Sequence, residues 1–193
     1  ILVGAFIDFF LAFGTLSKPR LLSAFCRGFV AVFRNLPLLL LVFFVYFALP
    51  QWRIRLDGYL CFIIALSVYA AAGLAEVFRG GLLALNRGLT EAGMSIGLRP
   101  LQIKFYIVLP VLLRSVLPSL GNSFISLFKD TSIAAAIAVH DLTFYARKIN
   151  TESFRVIETW MVVSLLYIGT TMVIAFALRL LEARVRASLG VRR

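Results

Sequence analysis

Long apolar stretches, broken by short polar ones, set the rhythm of this chain. Ile1 to Leu16 is apolar apart from Asp8 and is closed by Lys18, Pro19 and Arg20. A second stretch runs from about Phe29 to Leu49, with Arg34 and Asn35 near its start, and a third from about Tyr59 to Phe78. A polar segment follows, up to about Pro100. Leu101 to Leu113 is amphipathic, with Lys104 and Arg114 near its ends, and is expected to lie along a membrane interface before a fourth stretch starts near Ser115. The last apolar stretch covers about Ile157 to Leu180, and the tail from Arg184 to Arg193 is strongly basic. A helix needs about 20 apolar residues to cross the hydrocarbon core, so the pattern predicts about five crossings. The first is read as the end of a span, because Ile1 to Leu16 is short for a crossing and the chain starts without methionine.

Composition agrees with that pattern. Hydrophobic residues make up 61% of the chain and charged ones 15%, with a mean hydropathy of +0.95. These values exclude an ordinary soluble domain and set the fold class as an all-α polytopic membrane protein. The net charge of +11 reads as Lys and Arg on the cytoplasmic side rather than as a nucleic-acid surface, since no basic groove interleaved with aromatics accompanies it. In a five-span arrangement Lys18, Arg20, Arg27, Arg34, Arg79, Arg87, Arg99, Lys104 and the basic tail share one side. The other side carries Arg53, Arg55, Arg147, Lys148 and Arg155 beside Asp57, Asp141, Glu152 and Glu158. The richer side is expected to be cytoplasmic, with the C-terminus. Trp52, in the loop after the second stretch, suits a headgroup-level anchor. Cys26 and Cys61 match no metal or redox spacing and read as buried and inert. His140 has no partner at metal-ligand spacing and reads as a solvated residue of an outer loop.

The polar segment between the third and fourth stretches carries the most informative spacing. Glu91, Ala92 and Gly93 are followed by Gly97 after three residues and, after nine more, by Ile107, Leu109 and Pro110. Residues 90–96 suit two turns of helix, with Thr90 as N-cap and Glu91 in the first turn, where the helix dipole favours an acid. Gly97 suits the C-terminus of that helix, and Pro100 forbids its simple continuation. The set resembles the EAA loop of bacterial ABC importer permeases, with Gly93 standing where alanine is frequent. The resemblance implies a cytoplasmic coupling helix, within residues 87–98, that docks on a separate ATPase through Glu91, Ala92, Gly93, Gly97, Ile107, Leu109 and Pro110.

Further segments narrow the resemblance to the polar amino acid importer subfamily and cover nearly the whole chain. These are Phe33-Arg-Asn-Leu-Pro-Leu-Leu-Leu-Leu-Val, with Leu41 in place of a usual glutamine, then Glu76-Val-Phe-Arg-Gly-Gly and Leu117-Pro-Ser-Leu-Gly-Asn through Lys-Asp-Thr-Ser132. The resemblance implies a permease fold of the methionine-importer type, a second permease subunit, cytoplasmic ABC ATPase subunits, and an extracytoplasmic amino-acid-binding protein that delivers the substrate at the bacterial inner membrane. The small residues Ala70 to Gly73 and Ala75 would let helices approach closely, either in that dimer or within one subunit. No GxxxxGK[ST] loop and no catalytic constellation occur, so no cofactor or enzymatic role is expected of this chain. An ion-gradient-driven transporter or channel is the alternative. It would be favoured by inverted repeats or intramembrane carboxylate relays, and no such repeat is visible.

The substrate path is expected in the fourth span. Counting about 20 residues from Ser115 puts Asn122 near the middle and Lys129, Asp130, Thr131 and Ser132 in the far half. Polar groups at that depth tend to face a cavity or a partner, and Lys129 with Asp130 offers both signs to a zwitterion. If the span begins nearer Ile103 instead, the same pair caps it at the outer interface.

Overall fold

The computed structural model describes residues 20–188 apart from Arg87, so the first expected span, Ile1 to Leu16, lies outside the described residues. Every regular element among the described residues is a helix. In chain order these are α1 (Arg20–Asn35), α2 (Leu38–Ala48) with a 3-10 turn at Leu49–Trp52, α3 (Gly58–Ala84) and α4 (Gly88–Ser95). There follow α5 (Pro100–Ile137), α6 (Leu142–Ser153) and α7 (Val156–Ser188). Three of them, α3, α5 and α7, are long and apolar enough to cross a membrane. A fourth crossing among the described residues exists only if α1 and α2 together make one broken span.

That pair corrects the continuous second span expected over Phe29 to Leu49. Residues 23–35 and 38–52 meet at a bend of 102°. Pro37 sits there with ψ 131°, outside the helical range, and a proline also pushes the residue before it out of that range. Arg34 and Asn35 therefore end one helix rather than begin a span. The third span runs on six residues beyond Phe78, to Ala84. Leu101 to Leu113 does not lie along the interface as a separate element, because it is the first third of α5. A wide turn at Ile103–Val108 absorbs what would otherwise break it. Pro110 has no N–H for the Tyr106 carbonyl, and the N–H of Leu109 reaches back five residues to the carbonyl of Lys104. The expected outer loop around Arg147 is itself a helix, α6, capped by Asp141, whose Oδ1 accepts from the Phe144 N–H at 2.7 Å.

Helix α3 is the centre of the bundle. Its N-terminus is capped by Asp57, whose Oδ1 accepts from the Leu60 N–H at 3.1 Å. Toward that end, Cys61, Phe62 and Ala65 pack on Leu38, Leu41, Val42 and Val45 of α2, which recur at helical spacing, and on Ala134, Ile137 and Val139. Toward the other end, Phe78 packs with Leu112 and Val116 of α5. Both free cysteines are buried, as expected. Half of α3's most apolar window is buried within the chain, against 6% for α7. Among the described residues, therefore, little covers the apolar surface of α7.

Among the described glycines the closest helix approach is at Gly81, where a Cβ would sit 2.2 Å from Val116 Cγ1 and 2.9 Å from Leu112 Cδ1. Val116 and Leu112 are buried, and both must shift to admit it. Gly81→Ala is expected to destabilise the detergent-solubilised protein by about 1–3 kcal/mol. Gly80→Ala is the control, because no atom lies within 4 Å of the added carbon there. Thermal unfolding of the two variants checks this, and equal midpoints would contradict the close α3–α5 approach.

Candidate functional site

Two groups of sequence-predicted residues lie on the two halves of α5. The first is the segment around α4. The helix begins at Gly88, before the expected Thr90, and the Asn86 Oδ1 accepts from the Gly88 N–H at 2.9 Å. Glu91 does lie in the first turn. At the other end Gly97 has φ +79°. The Gly97 N–H bonds to the Met94 carbonyl at 3.0 Å and the Leu98 N–H to the Gly93 carbonyl at 3.1 Å. Those two bonds with a left-handed glycine form a Schellman close, the role expected of Gly97.

Gly93 has a second partner that the sequence did not indicate. A Cβ there would stand 2.9 Å from Ile103 Cγ1 and 3.0 Å from Ile107 Cδ1. So α4 lies directly against the wide turn of α5, and two positions of the spacing pattern, Gly93 and Ile107, meet each other. Leu109 and Pro110 are half-buried on α5, while Glu91, Ala92 and Gly97 are exposed. Around them Met94, Ile96 and Leu101 are exposed apolar side chains. The segment thus offers a short helix with an acidic first turn, an apolar rim and one face fixed to a long span.

The second group lines a cleft of about 270 Å³ between α3 and α5. Asn122, Ser126 and Asp130 are spaced by four and lie on one face of α5, with Ser123 beside them. Opposite are Tyr69, Ala70 and Gly73 of α3, two of them too small to fill the space. Ala70 is twelve residues from the first residue of α3, or roughly 18 Å along it, which is about the middle of a hydrocarbon core about 30 Å thick. The cleft therefore sits at mid-depth. Asp130 lines it, whereas Lys129, Thr131 and Ser132 are not among its lining residues. Lys129 is exposed on a neighbouring face, and the Thr131 hydroxyl donates to the Phe128 carbonyl at 2.6 Å. Within this chain the cleft takes in Asp130 without Lys129. What it assembles is one carboxylate, one amide and three hydroxyls. Ser123, Ser126 and Tyr69 were missed in the sequence, though the spacing of Asn122, Ser126 and Asp130 carried the signal for Ser126. His140 is exposed beside Phe144, with ring centroids 4.5 Å apart, and its backbone carbonyl accepts from the Tyr59 hydroxyl at 3.3 Å.

Comparison with known proteins places this geometry. The chain is 38% identical over 191 residues to the probable glutamine ABC transporter permease protein GlnP of Bacillus subtilis (strain 168), covering 93% of this chain and 88% of that one. It is 37% identical over 160 residues to the glutamine transport system permease protein GlnP of Escherichia coli (strain K12), covering 82% and 73%. Among solved structures, the crystal structure of an amino acid ABC transporter with histidines matches with a TM-score of 0.88 at 27% identity, over 95% of this chain and 86% of that one. An inward-facing form of the MetNI methionine ABC transporter shares the fold, with a TM-score of 0.75 at 21% identity over 95% of this chain and 90% of that one. Residues 2–187 match one family, and this chain belongs to it: the binding-protein-dependent transport system inner membrane components.

Proposed function

We propose that this chain is the permease subunit of an ATP-driven importer of polar amino acids, with the α3–α5 cleft as part of the substrate path. One observation carries the reading: a carboxylate, an amide and three hydroxyls converge at mid-depth in a chain of this family. Uncompensated polar groups at that depth are costly unless they face a cavity or a ligand. Asp130 is the partner for a substrate ammonium group. Asn122, Ser123, Ser126 and Tyr69 donate hydrogen bonds to its carboxylate or polar side chain. The named relatives for glutamine support a polar amino acid as cargo.

The remaining parts follow from the same reading. A second permease subunit closes the path, which one set of helices leaves open along α7. An external binding protein delivers the amino acid. Two ATPases dock at α4, with Glu91 and Ala92 exposed to them and Gly97 closing the helix. The α4 side and the C-terminus face the cytoplasm, where the sequence concentrates Lys and Arg. Gly93 and Ile107 then serve to fix α4 to α5 so that movement of an ATPase reaches the span.

Two measurements test this. Uptake of radiolabelled amino acid by the reconstituted complex, with its binding protein, is expected to fall at least about tenfold for Asp130→Asn, the loss of one charge-assisted hydrogen bond. Lys129→Gln is expected to change it little. Wild-type uptake by Asp130→Asn would remove Asp130 from the path.

Gly97→Val forces a β-branched residue to φ +79°, which costs about 1–3 kcal/mol locally. Membrane insertion should persist while ATPase co-purification or transport-coupled hydrolysis is lost. Normal assembly and coupling in that variant would sink the docking assignment.

A further inference from the structure

A second cleft, of about 390 Å³, opens between α1 and the far part of α3, and it is not the one that holds Asp130. Its charged lining is Arg27 and Arg34 of α1 with Glu76 and Arg79 of α3. Glu76 is shared: the Arg34 Nη1 stands 3.3 Å from its carboxylate, and the Arg79 Nε donates to it at 2.9 Å. Arg27 has no carboxylate partner among the described residues. Three guanidinium groups around one carboxylate leave positive charge in excess, and Val30 and Ala31 give the cleft an apolar floor.

Depth decides what meets that charge. The first residue of α3 lies near the exposed aromatics Trp52 and Tyr59, which suit one headgroup layer. Arg79 is 21 residues further on, or roughly 31 Å along the helix, against a hydrocarbon core of about 30 Å. Its guanidinium therefore stands at the opposite headgroup layer. α1 crosses α3 there. Its 102° bend from α2 turns it away from the spanning direction, and its Phe25 and Val32 are exposed apolar residues while Cys26 and Val30 are buried. An amphipathic helix in that attitude lies in the interface with its apolar side chains among acyl chains.

We propose that this cleft binds the phosphate of an anionic phospholipid from the leaflet on the α4 side, with Arg27 as its main ligand and Arg79 and Arg34 beside it. Guanidinium forks match phosphate oxygens two at a time, and a basic pocket between helices at headgroup level selects such lipids. The lipid is favoured over a soluble anion because Val30 and Ala31 give the cleft an apolar floor at headgroup level. The inference requires neither the cargo nor the docking assignment, and its readout contains no transport step.

The test uses the purified assembled transporter in nanodiscs of mixed phosphatidylglycerol and phosphatidylcholine, with a trace of photoreactive phosphatidylglycerol. Native mass spectrometry is expected to show phosphatidylglycerol enriched several-fold over its bulk fraction, with crosslinks on α1. Arg27→Gln removes the enrichment and the crosslinks. It should fold, because Arg27 is exposed and carries no ion pair with another described residue. Arg27→Lys, which keeps the charge but not the fork, retains part of the enrichment, and Arg147→Gln on α6 retains all of it. No enrichment in the wild type, or full enrichment in Arg27→Gln, overturns the proposal. In nanodiscs of phosphatidylcholine alone, inorganic phosphate is expected to leave thermal stability unchanged. A stabilisation by phosphate that Arg27→Gln abolishes would assign the cleft to a soluble anion and overturn the lipid assignment.

Discussion

Close approach of backbones along α3 is the constraint on which the rest of this bundle depends. Lipid supplies no hydrophobic drive between helices, so association rests on van der Waals contact, and small residues permit it. Ala65, Ala70, Ala71, Ala72 and Ala75 are all buried along one helix, and Gly81 lets α5 come within contact of its backbone. α1, α2 and α5 each pack on α3. The expectation from the sequence left Ala70 to Gly73 and Ala75 open between a dimer contact and packing within one subunit. Burial of Ala70, Ala71, Ala72 and Ala75 within this chain assigns them to the second, while Gly73 remains exposed at the mid-depth cleft.

The same economy of size shapes both clefts. Where α3 offers Ala70 and Gly73 opposite a row of hydroxyl, amide and carboxylate groups, the helices leave room between, with the buried Leu74 and Leu127 in its wall. Where α1 crosses α3, the space is filled by long side chains whose charges do not cancel. A leucine at Gly73 would project into space that a Cβ alone leaves open, which makes the small residue as much a part of the site as Asp130. The Arg34–Glu76 ion pair also holds the helix crossing, since it joins α1 to α3 beside the second cleft.

Much of this was legible in the sequence, and the failures share one physical cause. Hydropathy located the starts of α3 and α7 to within one residue but ended both short, because apolar length is what the bilayer selects. It could not show whether a helix continues through a proline. Pro37 ends a helix and turns the chain by 102°, whereas Pro110 and Pro118 are carried inside α5. The difference lies in tertiary support: around Pro110 a wide turn re-pairs the backbone, and Ile103 is packed under Gly93. For the cleft, the spacing of Asn122 and Asp130 was readable, but the position of Lys129 was not. Adjacent residues on a helix point about 100° apart, so a neighbouring pair of opposite charge seldom serves one ligand.

The spacing pattern that first marked residues 91–110 takes on a mechanical sense once its members are placed. Glu91 and Ala92 are exposed on α4, Gly93 and Ile107 join α4 to α5, and Pro110 sits just past the wide turn that this junction rests on. From Ile107 to Asp130 the chain is one helix, roughly 34 Å long at 1.5 Å per residue. In the proposed reading, a push on α4 is delivered through the Gly93 contact to the base of a rod whose far half carries the substrate groups. A helix transmits such a push only if it does not buckle, and Pro118 is the weak point, since it leaves the Arg114 carbonyl without its helical N–H. That point lies beside Val116, which Gly81 grips from α3. The close α3–α5 approach at Gly81 therefore braces the rod close to where its own backbone is weakest.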